Sequence, residues 1–241
     1  MQKRALIIWG GWDGHEPEQV AGLFAGELRV HGFEVTVADT LDALLDREVL
    51  AGLDLIVPIW TMGSITAPQL ANLLAAVEGG VGLGGSHGGM CDSFRDATEY
   101  QFMTGGQWVA HPGGDGVVHT VTITDSSHFI TKGARDFTIA TEQYYLHVDP
   151  ANRVLATTRF PSVDGPHAAN GLVDMPVAWT RLWGKGRVFY CSLGHHAEVV
   201  RRPEVLRLCR RGLLWAARAE NARPGPERSD DGSAGGVEAS A

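Results

Sequence analysis

The residues with the clearest chemical potential are three histidines that each follow a predicted strand or a glycine turn, together with one glutamate. They are His15, His87, His195 (with His196 as its alternative) and Glu142. Neutral imidazole and carboxylate suit Zn, Mn, Fe or Ni, and three such ligands with an open position would activate water or polarise a carbonyl. The same groups could act as general acid and base without a metal. The spacing contains no local motif such as H-E-x-x-H, so a metal site, metal-free chemistry and unrelated histidines all stay open.

The segment Gly-Ser-His-Gly-Gly at 85–89 has the shape of a nucleophile elbow, a sharp turn between a strand and a helix. Glycines flank the central residue of such a turn because side chains would clash there. His87 occupies the central position and Ser86 lies one position early, which makes a serine hydrolase the weaker alternative. A tight glycine turn with an incidental imidazole is the other reading. A phosphate cradle is not supported, since neither G-x-G-x-x-G nor a P-loop lysine is present.

Several aromatic and polar residues near these segments are candidates for binding a substrate. Tryptophan faces suit the C–H face of a sugar, but with seven Trp in the chain we expect two of the three candidates to be packing residues. His111 opens a His-Pro-Gly-Gly loop that either lines a pocket or forms a structural turn. Alternation places His147 and Asp149 on one side of an extended segment, as a catalytic pair or a strand-end hydrogen bond. The candidate set is Trp12, Asp13, Trp60, Trp108, His111, Tyr144 and His147.

The elements that must position these residues alternate between strand and helix over the first hundred residues. Apolar runs predict strands at 5–9, 33–38, 54–60 and 81–85, and helical spacing predicts helices at 18–31, 41–50 and 68–77. Such repeats imply a parallel sheet covered on both faces. Ligands bind at the carboxyl ends of strands in open sheets, so segments 10–16, 60–64 and 84–91 should meet at one edge.

The second half of the chain has a different pattern. Short, partly antiparallel strands are predicted at 117–124, 137–140, 144–147 and 154–158, and a hairpin is predicted from 177–183 and 187–192 around the glycines at 184 and 186. A last helix is predicted at about 202–220. From residue 222 the composition becomes Pro, Gly, Ser, Ala and acidic residues, which is typical of disorder. We therefore expect one domain at 1–220 and a disordered acidic tail at 221–241.

The composition excludes several classes of protein. The 241 residues carry a net charge of -8 without a basic run, which argues against nucleic-acid and anionic-membrane partners. No apolar stretch approaches the ~18 residues of a membrane helix, and no signal peptide is recognised. Cys91, Cys191 and Cys209 lack C-x-x-C spacing, so neither a disulfide framework nor a zinc ribbon is indicated. We expect a cytoplasmic protein.

Four segments together resemble the ThuA-like family, which is named for trehalose utilisation and is related in fold to class I glutamine amidotransferases. They are Gly-Gly-Trp-Asp-Gly-His-Glu-Pro at 10–17, the glycine-flanked His87, Glu-Gln-Tyr-Tyr at 142–145 and the run at 184–195 that ends in Leu-Gly-His. The resemblance covers about residues 3–218. It implies an α/β fold, a flavodoxin-like three-layer sandwich with a mostly parallel sheet and some added antiparallel strands.

The resemblance also implies a function. Amidotransferases place cysteine at the elbow, whereas here His87 stands there and Cys91 follows four residues later, so glutamine hydrolysis is not expected. We expect an enzyme of carbohydrate catabolism acting on a disaccharide or keto-sugar derivative. His87, Glu142 and His195 would be catalytic, with His15, His87 and His195 as the metal ligands if a metal is bound. The competing reading is a non-catalytic module that binds a sugar or forms a homo-oligomer.

Overall fold

The computed structural model describes residues 2–221, so the predicted tail lies outside the described residues from residue 222 onward. Eleven strands are present in this part of the chain. They are β1 (Arg4–Gly11), β2 (Glu34–Ala38), β3 (Leu55–Thr61), β4 (Gly82–Ser86), β5 (Gly106–Ala110), β6 (Val118–Ile123), β7 (Phe137–Ala140), β8 (Tyr145–Val148), β9 (Arg153–Phe160), β10 (Val173–Trp183) and β11 (Gly186–Cys191).

Nine of these strands form one sheet in the order β2-β1-β3-β4-β11-β10-β9-β6-β7. The half containing β2, β1, β3, β4 and β11 is parallel, and the strands beyond β11 are antiparallel. The predicted hairpin joins β10 to β11. β5 and β8 form a separate antiparallel pair. The predicted flavodoxin-like fold, with parallel strands and added antiparallel strands, is confirmed, and the nine-stranded sheet has four parallel and four antiparallel strand pairings.

Seven α-helices flank the sheet in the described residues. They are α1 (Pro17–Val30), α2 (Arg47–Ala51), α3 (Ala67–Gly79), α4 (Gly88–Cys91), α5 (Thr98–Thr104), α6 (Ala197–Arg201) and α7 (Pro203–Ala216). None of the described helices is long and apolar enough to cross a membrane.

Alternation along the parallel strands builds a core on each face of the sheet. In β1, Ile7 packs in one core with Phe24 of α1 and Leu213 of α7. The next residue, Ile8, points to the opposite face and shares a core with Leu73 of α3. Neighbouring strand side chains alternate between faces, so an apolar strand such as β1 is buried on both sides.

The helix predicted at 41–50 is wrong, because the segment contains a 3-10 turn at Leu41–Leu44 followed by the separate helix α2. The Asp46 carboxylate accepts hydrogen bonds from the backbone N–H groups of Glu48 and Val49, at 3.1 and 3.0 Å. An aspartate in this role caps the start of a helix and leaves its own backbone extended. Asp46 therefore caps α2 and lies between it and the 3-10 turn at Leu41–Leu44.

The single last helix predicted at 202–220 is also wrong in its bounds. The predicted helix is α7, which begins at Pro203 and ends at Ala216, and the short helix α6 just before it was not predicted. Arg202, with φ -54° and ψ 130°, separates the two helices. Proline cannot donate the hydrogen bond that would continue α6, and its ring suits the first turn of a new helix, so Pro203 starts α7. Helix α5 and strand β5 were not predicted. β5 pairs with β8, which lies about forty residues further along the chain.

Candidate active site

The carboxyl edge of the parallel strands gathers four candidate residues from distant parts of the chain. One donor atom from each of His15, His87, Glu142 and His195 lies within 4.8 Å of the others. All four side chains are buried, with at most 7% of each residue exposed. β1 leads into the 3-10 turn that carries His15, β4 leads into His87, and β11 leads towards His195, so three strand ends place the imidazoles together.

His87 has the backbone conformation of an elbow. Its φ of 50° and ψ of -142° lie outside the regions that side chains ordinarily adopt. Its N–H donates to the Cys191 carbonyl at 2.7 Å, and its own carbonyl accepts from the Tyr190 hydroxyl at 3.1 Å. A Cβ at Gly89 would lie 2.9 Å from the backbone of Ile59, so this turn requires glycine for close packing. The elbow is thereby fixed between β3 and β11.

The hydrogen bond of the His87 ring defines which nitrogen is free. Nδ1 lies 2.8 Å from the Ser192 carbonyl oxygen, which can only accept, so Nδ1 carries the proton. In the neutral ring Nε2 then carries a lone pair. That atom lies 3.2 Å from Oε2 of Glu142, which is itself an acceptor when ionised. Two buried acceptors this close require a positive charge between them, either a proton or a metal cation.

Glu142 faces imidazoles on both of its oxygens. Oε2 lies 3.4 Å from Nδ1 of His195, and Oε1 lies 3.6 Å from Nε2 of His111. Burial raises the pKa of Glu142, but the surrounding imidazoles outweigh burial and hold the pKa below its ordinary value. The carboxylate is therefore ionised at neutral pH.

The pKa values of His15 and His195 are both lowered. Burial, followed by the neighbouring imidazoles His87 and His195, lowers the pKa of His15 to about 3. Burial likewise lowers the pKa of His195, although Glu142 opposes the shift. The His15 ring is oriented by Thr61, whose hydroxyl lies 2.8 Å from Nδ1.

The candidate aromatic residues divide into one exposed ring and several packed rings. Trp12 is 47% exposed and meets the His15 ring edge-on, at 4.7 Å between centroids. Tyr144 is buried and stacks on the His87 ring at 4.0 Å. Trp60 and Trp108 are partly buried against the core, and the Trp108 ring also lies 5.6 Å from the His111 ring. Of the three tryptophans, only Trp12 is exposed rather than partly buried.

The remaining polar candidates lie at different distances from the cluster. His111 is partly exposed and reaches Glu142, as described above. Asp13 is exposed on the turn that carries His15. His147 is exposed on β8, and no described hydrogen bond, ion pair or ring contact joins it to the cluster. Its predicted companion Asp149 instead pairs with Arg181 at 2.9 Å, which is a structural bond at a strand end.

Neither alternative nucleophile is assembled for catalysis. Ser86 is buried, and within residues 2–221 no described hydrogen bond joins its hydroxyl to a histidine. Burial raises the pKa of the Cys91 thiol well above its ordinary value, so this thiol stays protonated.

Three residues of the site were not predicted from the sequence. Thr61, Ser192 and Tyr190 orient the histidines through the bonds given above. Thr61 is the last residue of β3, so a search of strand ends for hydroxyl residues would have found it. Ser192 acts through its backbone carbonyl, which no search for side-chain types would find.

A half-parallel sheet with an elbow between a strand and a short helix defines an α/β protein of the flavodoxin and class I amidotransferase-like type, here with histidine at the elbow. Within that class the chain belongs to the ThuA family, because the family model described as "Trehalose utilisation" matches residues 4–216. This membership supports a carbohydrate-related role.

Solved structures agree with the fold. The chain is similar to a putative ThuA-like protein from Parabacteroides merdae, with 18% identity, 90% of each chain covered and a TM-score of 0.72. A putative ThuA-like protein from Bacteroides uniformis has 17% identity, a TM-score of 0.69, and coverage of 89% of this chain and 91% of that one. A cytoplasmic protein from Salmonella typhimurium LT2 has 14% identity, a TM-score of 0.57, and coverage of 91% and 99%. No curated protein matches the sequence.

Proposed function

We propose that this protein is an enzyme of carbohydrate catabolism that acts on a disaccharide or keto-sugar derivative at the cluster of His15, His87, Glu142 and His195. The observation that carries the proposal is the facing pair of acceptors, Nε2 of His87 and Oε2 of Glu142, at 3.2 Å in a buried site. A positive charge held there would polarise a carbonyl or hydroxyl oxygen of a sugar. The family's carbohydrate-related role supports a sugar as the substrate.

The second oxygen of Glu142 supplies a route for a proton. Oε1 lies 3.6 Å from Nε2 of His111, whose side chain is 37% exposed. A proton taken by the carboxylate can therefore pass to an imidazole in contact with solvent. Hydrolysis, isomerisation and elimination all need such a transfer beside a polarised oxygen.

The exposed face of Trp12 would hold the sugar. An indole packs its flat apolar surface against the C–H face of a sugar ring, and the 47% exposed Trp12 lies beside His15. The Trp12 face would thus orient a sugar over the imidazoles. We further propose a cytoplasmic location, in line with the description of the Salmonella neighbour.

Turnover of a panel of disaccharides and keto-sugar derivatives tests this proposal. Glu142→Gln keeps the shape of the side chain but removes its charge, and we expect turnover to fall by about 10²–10⁴-fold, the usual contribution of acid–base catalysis. His147→Gln is the matched control, because His147 is an exposed histidine outside the cluster. Equal turnover in wild type and Glu142→Gln would contradict the proposal. Thermal stabilisation by a sugar with no product formed would instead identify a binding module.

A further inference from the structure

We propose that His15, His87, His195 and Glu142 bind one divalent transition-metal ion. The metal would provide the positive charge that the two facing acceptors require. This inference concerns the site of the proposed function, and the experiment below lets the two succeed or fail separately.

The distances between donor atoms suit a compact ion. Ligands about 2.1 Å from a tetrahedral zinc ion lie about 3.4 Å from one another. Oε2 of Glu142 is 3.2 Å from Nε2 of His87 and 3.4 Å from Nδ1 of His195. All four donors lie within 4.8 Å of one another, so a modest contraction brings them into one shell.

Two donor atoms have no hydrogen-bond partner in the described part of the chain. Nε2 of His87 and Nδ1 of His195 are both buried and unpaired. Buried polar atoms are nearly always paired in native proteins. Both atoms face the same carboxylate oxygen, and a cation is the kind of ligand that accepts lone pairs from all three.

His87 and His15 each make, through Nδ1, a hydrogen bond of the kind that orients metal-binding histidines. A ligating histidine typically donates its other N–H to a carbonyl, carboxylate or comparable acceptor, which fixes the tautomer. Nδ1 of His87 donates to the Ser192 carbonyl at 2.8 Å, and Nδ1 of His15 lies 2.8 Å from the Thr61 hydroxyl. The bond to Ser192 leaves Nε2 of His87 facing Glu142, and the bond to Thr61 leaves Nε2 of His15 as the free donor.

The donor set selects the class of ion. Three imidazoles with one carboxylate suit Zn²⁺, Fe²⁺, Ni²⁺ or Mn²⁺, whereas Ca²⁺ and Mg²⁺ prefer oxygen ligands throughout. The four residues are also shielded from bulk solvent, since each is at most 7% exposed. A loosely hydrated Mg²⁺ is therefore not expected there.

Metal content of the untagged full chain tests the inference. The protein is stripped with a chelator, incubated with Zn²⁺, Mn²⁺, Fe²⁺ or Ni²⁺ alone, desalted and measured by inductively coupled plasma mass spectrometry. We expect about one equivalent of at least one ion. At a free ion concentration about 100 times Kd, we expect Tm to rise by about 5–10 °C.

Single substitutions of the proposed ligands identify which residues bind the ion. His195→Ala and His15→Ala should lose the bound metal and the Tm shift, while His147→Ala keeps both. If an alanine variant fails to fold by circular dichroism, Glu142→Gln replaces it, since the amide keeps the side-chain shape. His196→Ala is decisive for position, because His196 and Asp115 form a second possible cluster with His195. Metal lost in His196→Ala but kept in His15→Ala would overturn the assignment.

The remaining outcomes also decide the question. Less than about 0.1 equivalent of all four ions, with no change in Tm, would overturn the metal site. Sugar turnover by that metal-free protein would leave the proposed function standing with a proton as the shared charge. Stoichiometric metal without turnover of any sugar would support the metal site and contradict the proposed function.

Discussion

Replacing Gly88 by alanine would place a methyl group against the His15 ring. A Cβ at this position would lie 2.6 Å from Cε1 and 2.7 Å from Nδ1 of His15, and 3.1 Å from Cγ2 of Thr61. Non-bonded carbon atoms pack at about 3.5–4.0 Å, so the ring must move by about 1 Å. His15 is buried and bonded to Thr61, which leaves the ring little room to move.

The size of the effect follows from this displacement. Overpacking a buried site costs about 1–3 kcal/mol of unfolding free energy. A shift of about 1 Å in an active-site group can lower turnover by about 10²-fold. We therefore expect Gly88→Ala to fold with a reduced unfolding free energy. The folded variant should also have lower sugar turnover and weaker metal binding, beyond what a smaller folded fraction would cause.

Urea denaturation and turnover, measured on the same preparations, check this prediction. Gly22→Ala is the control, because Gly22 is an exposed residue of α1 and a Cβ there would meet nothing within 4 Å. Alanine is favoured over glycine inside a helix, so the control should gain about 0.5–1 kcal/mol. Wild-type turnover and metal content in Gly88→Ala would refute the packing argument that ties His15 to the elbow.

Three further predictions follow from single contacts. Thr61→Val leaves Nδ1 of His15 unpaired, so we expect urea denaturation to show an unfolding free energy lower by about 1–3 kcal/mol. Metal titrations should show about 10–100-fold weaker binding. Unchanged values would show that Thr61 does not orient the ring. Burial lowers the pKa of His119, so below an unfolded pKa of about 6.5 the unfolded chain binds a proton that the folded chain does not. The unfolding free energy should therefore fall as pH drops from 7 towards 5 (roughly the window below that pKa), and it should fall less steeply in His119→Gln. Equal slopes of unfolding free energy against pH in the two proteins would contradict the lowered pKa of His119. Asp46→Ala removes the cap of α2 and should cost about 1 kcal/mol by thermal unfolding, with no loss of stability as the contrary result.

The parallel half of the fold and the elbow were predictable because their causes are local. β1 and β3 are runs of apolar residues, as strands buried on both faces must be. The glycines around His87 predict a turn in which larger side chains would clash. Since parallel strands end at one edge of the sheet, the proximity of His15 and His87 could be predicted from the sequence alone.

Other features depend on distant partners and could not be predicted. β5 forms only through its pairing with β8, and nothing in its own periodicity marks a strand. The contact between His111 and Glu142 joins a loop to the segment before β8. The tautomer of His87 depends on the carbonyl of Ser192, which is 105 residues away along the chain. The interpretation of His147 as a site residue rested on alternation, which gives a face of a strand but not what that face meets.

The most direct test of the central claim is kcat/KM of His87→Asn beside wild type, on whichever sugar of the panel is turned over. Asparagine tolerates a positive φ and its amide can still donate to Ser192, so the elbow is expected to survive while the Nε2 lone pair is lost. We predict a fall of at least about 10²-fold with unchanged circular dichroism. A kcat/KM within about twofold of wild type, or no product from any sugar with the wild-type protein, would contradict the claim that this cluster is a sugar-transforming site.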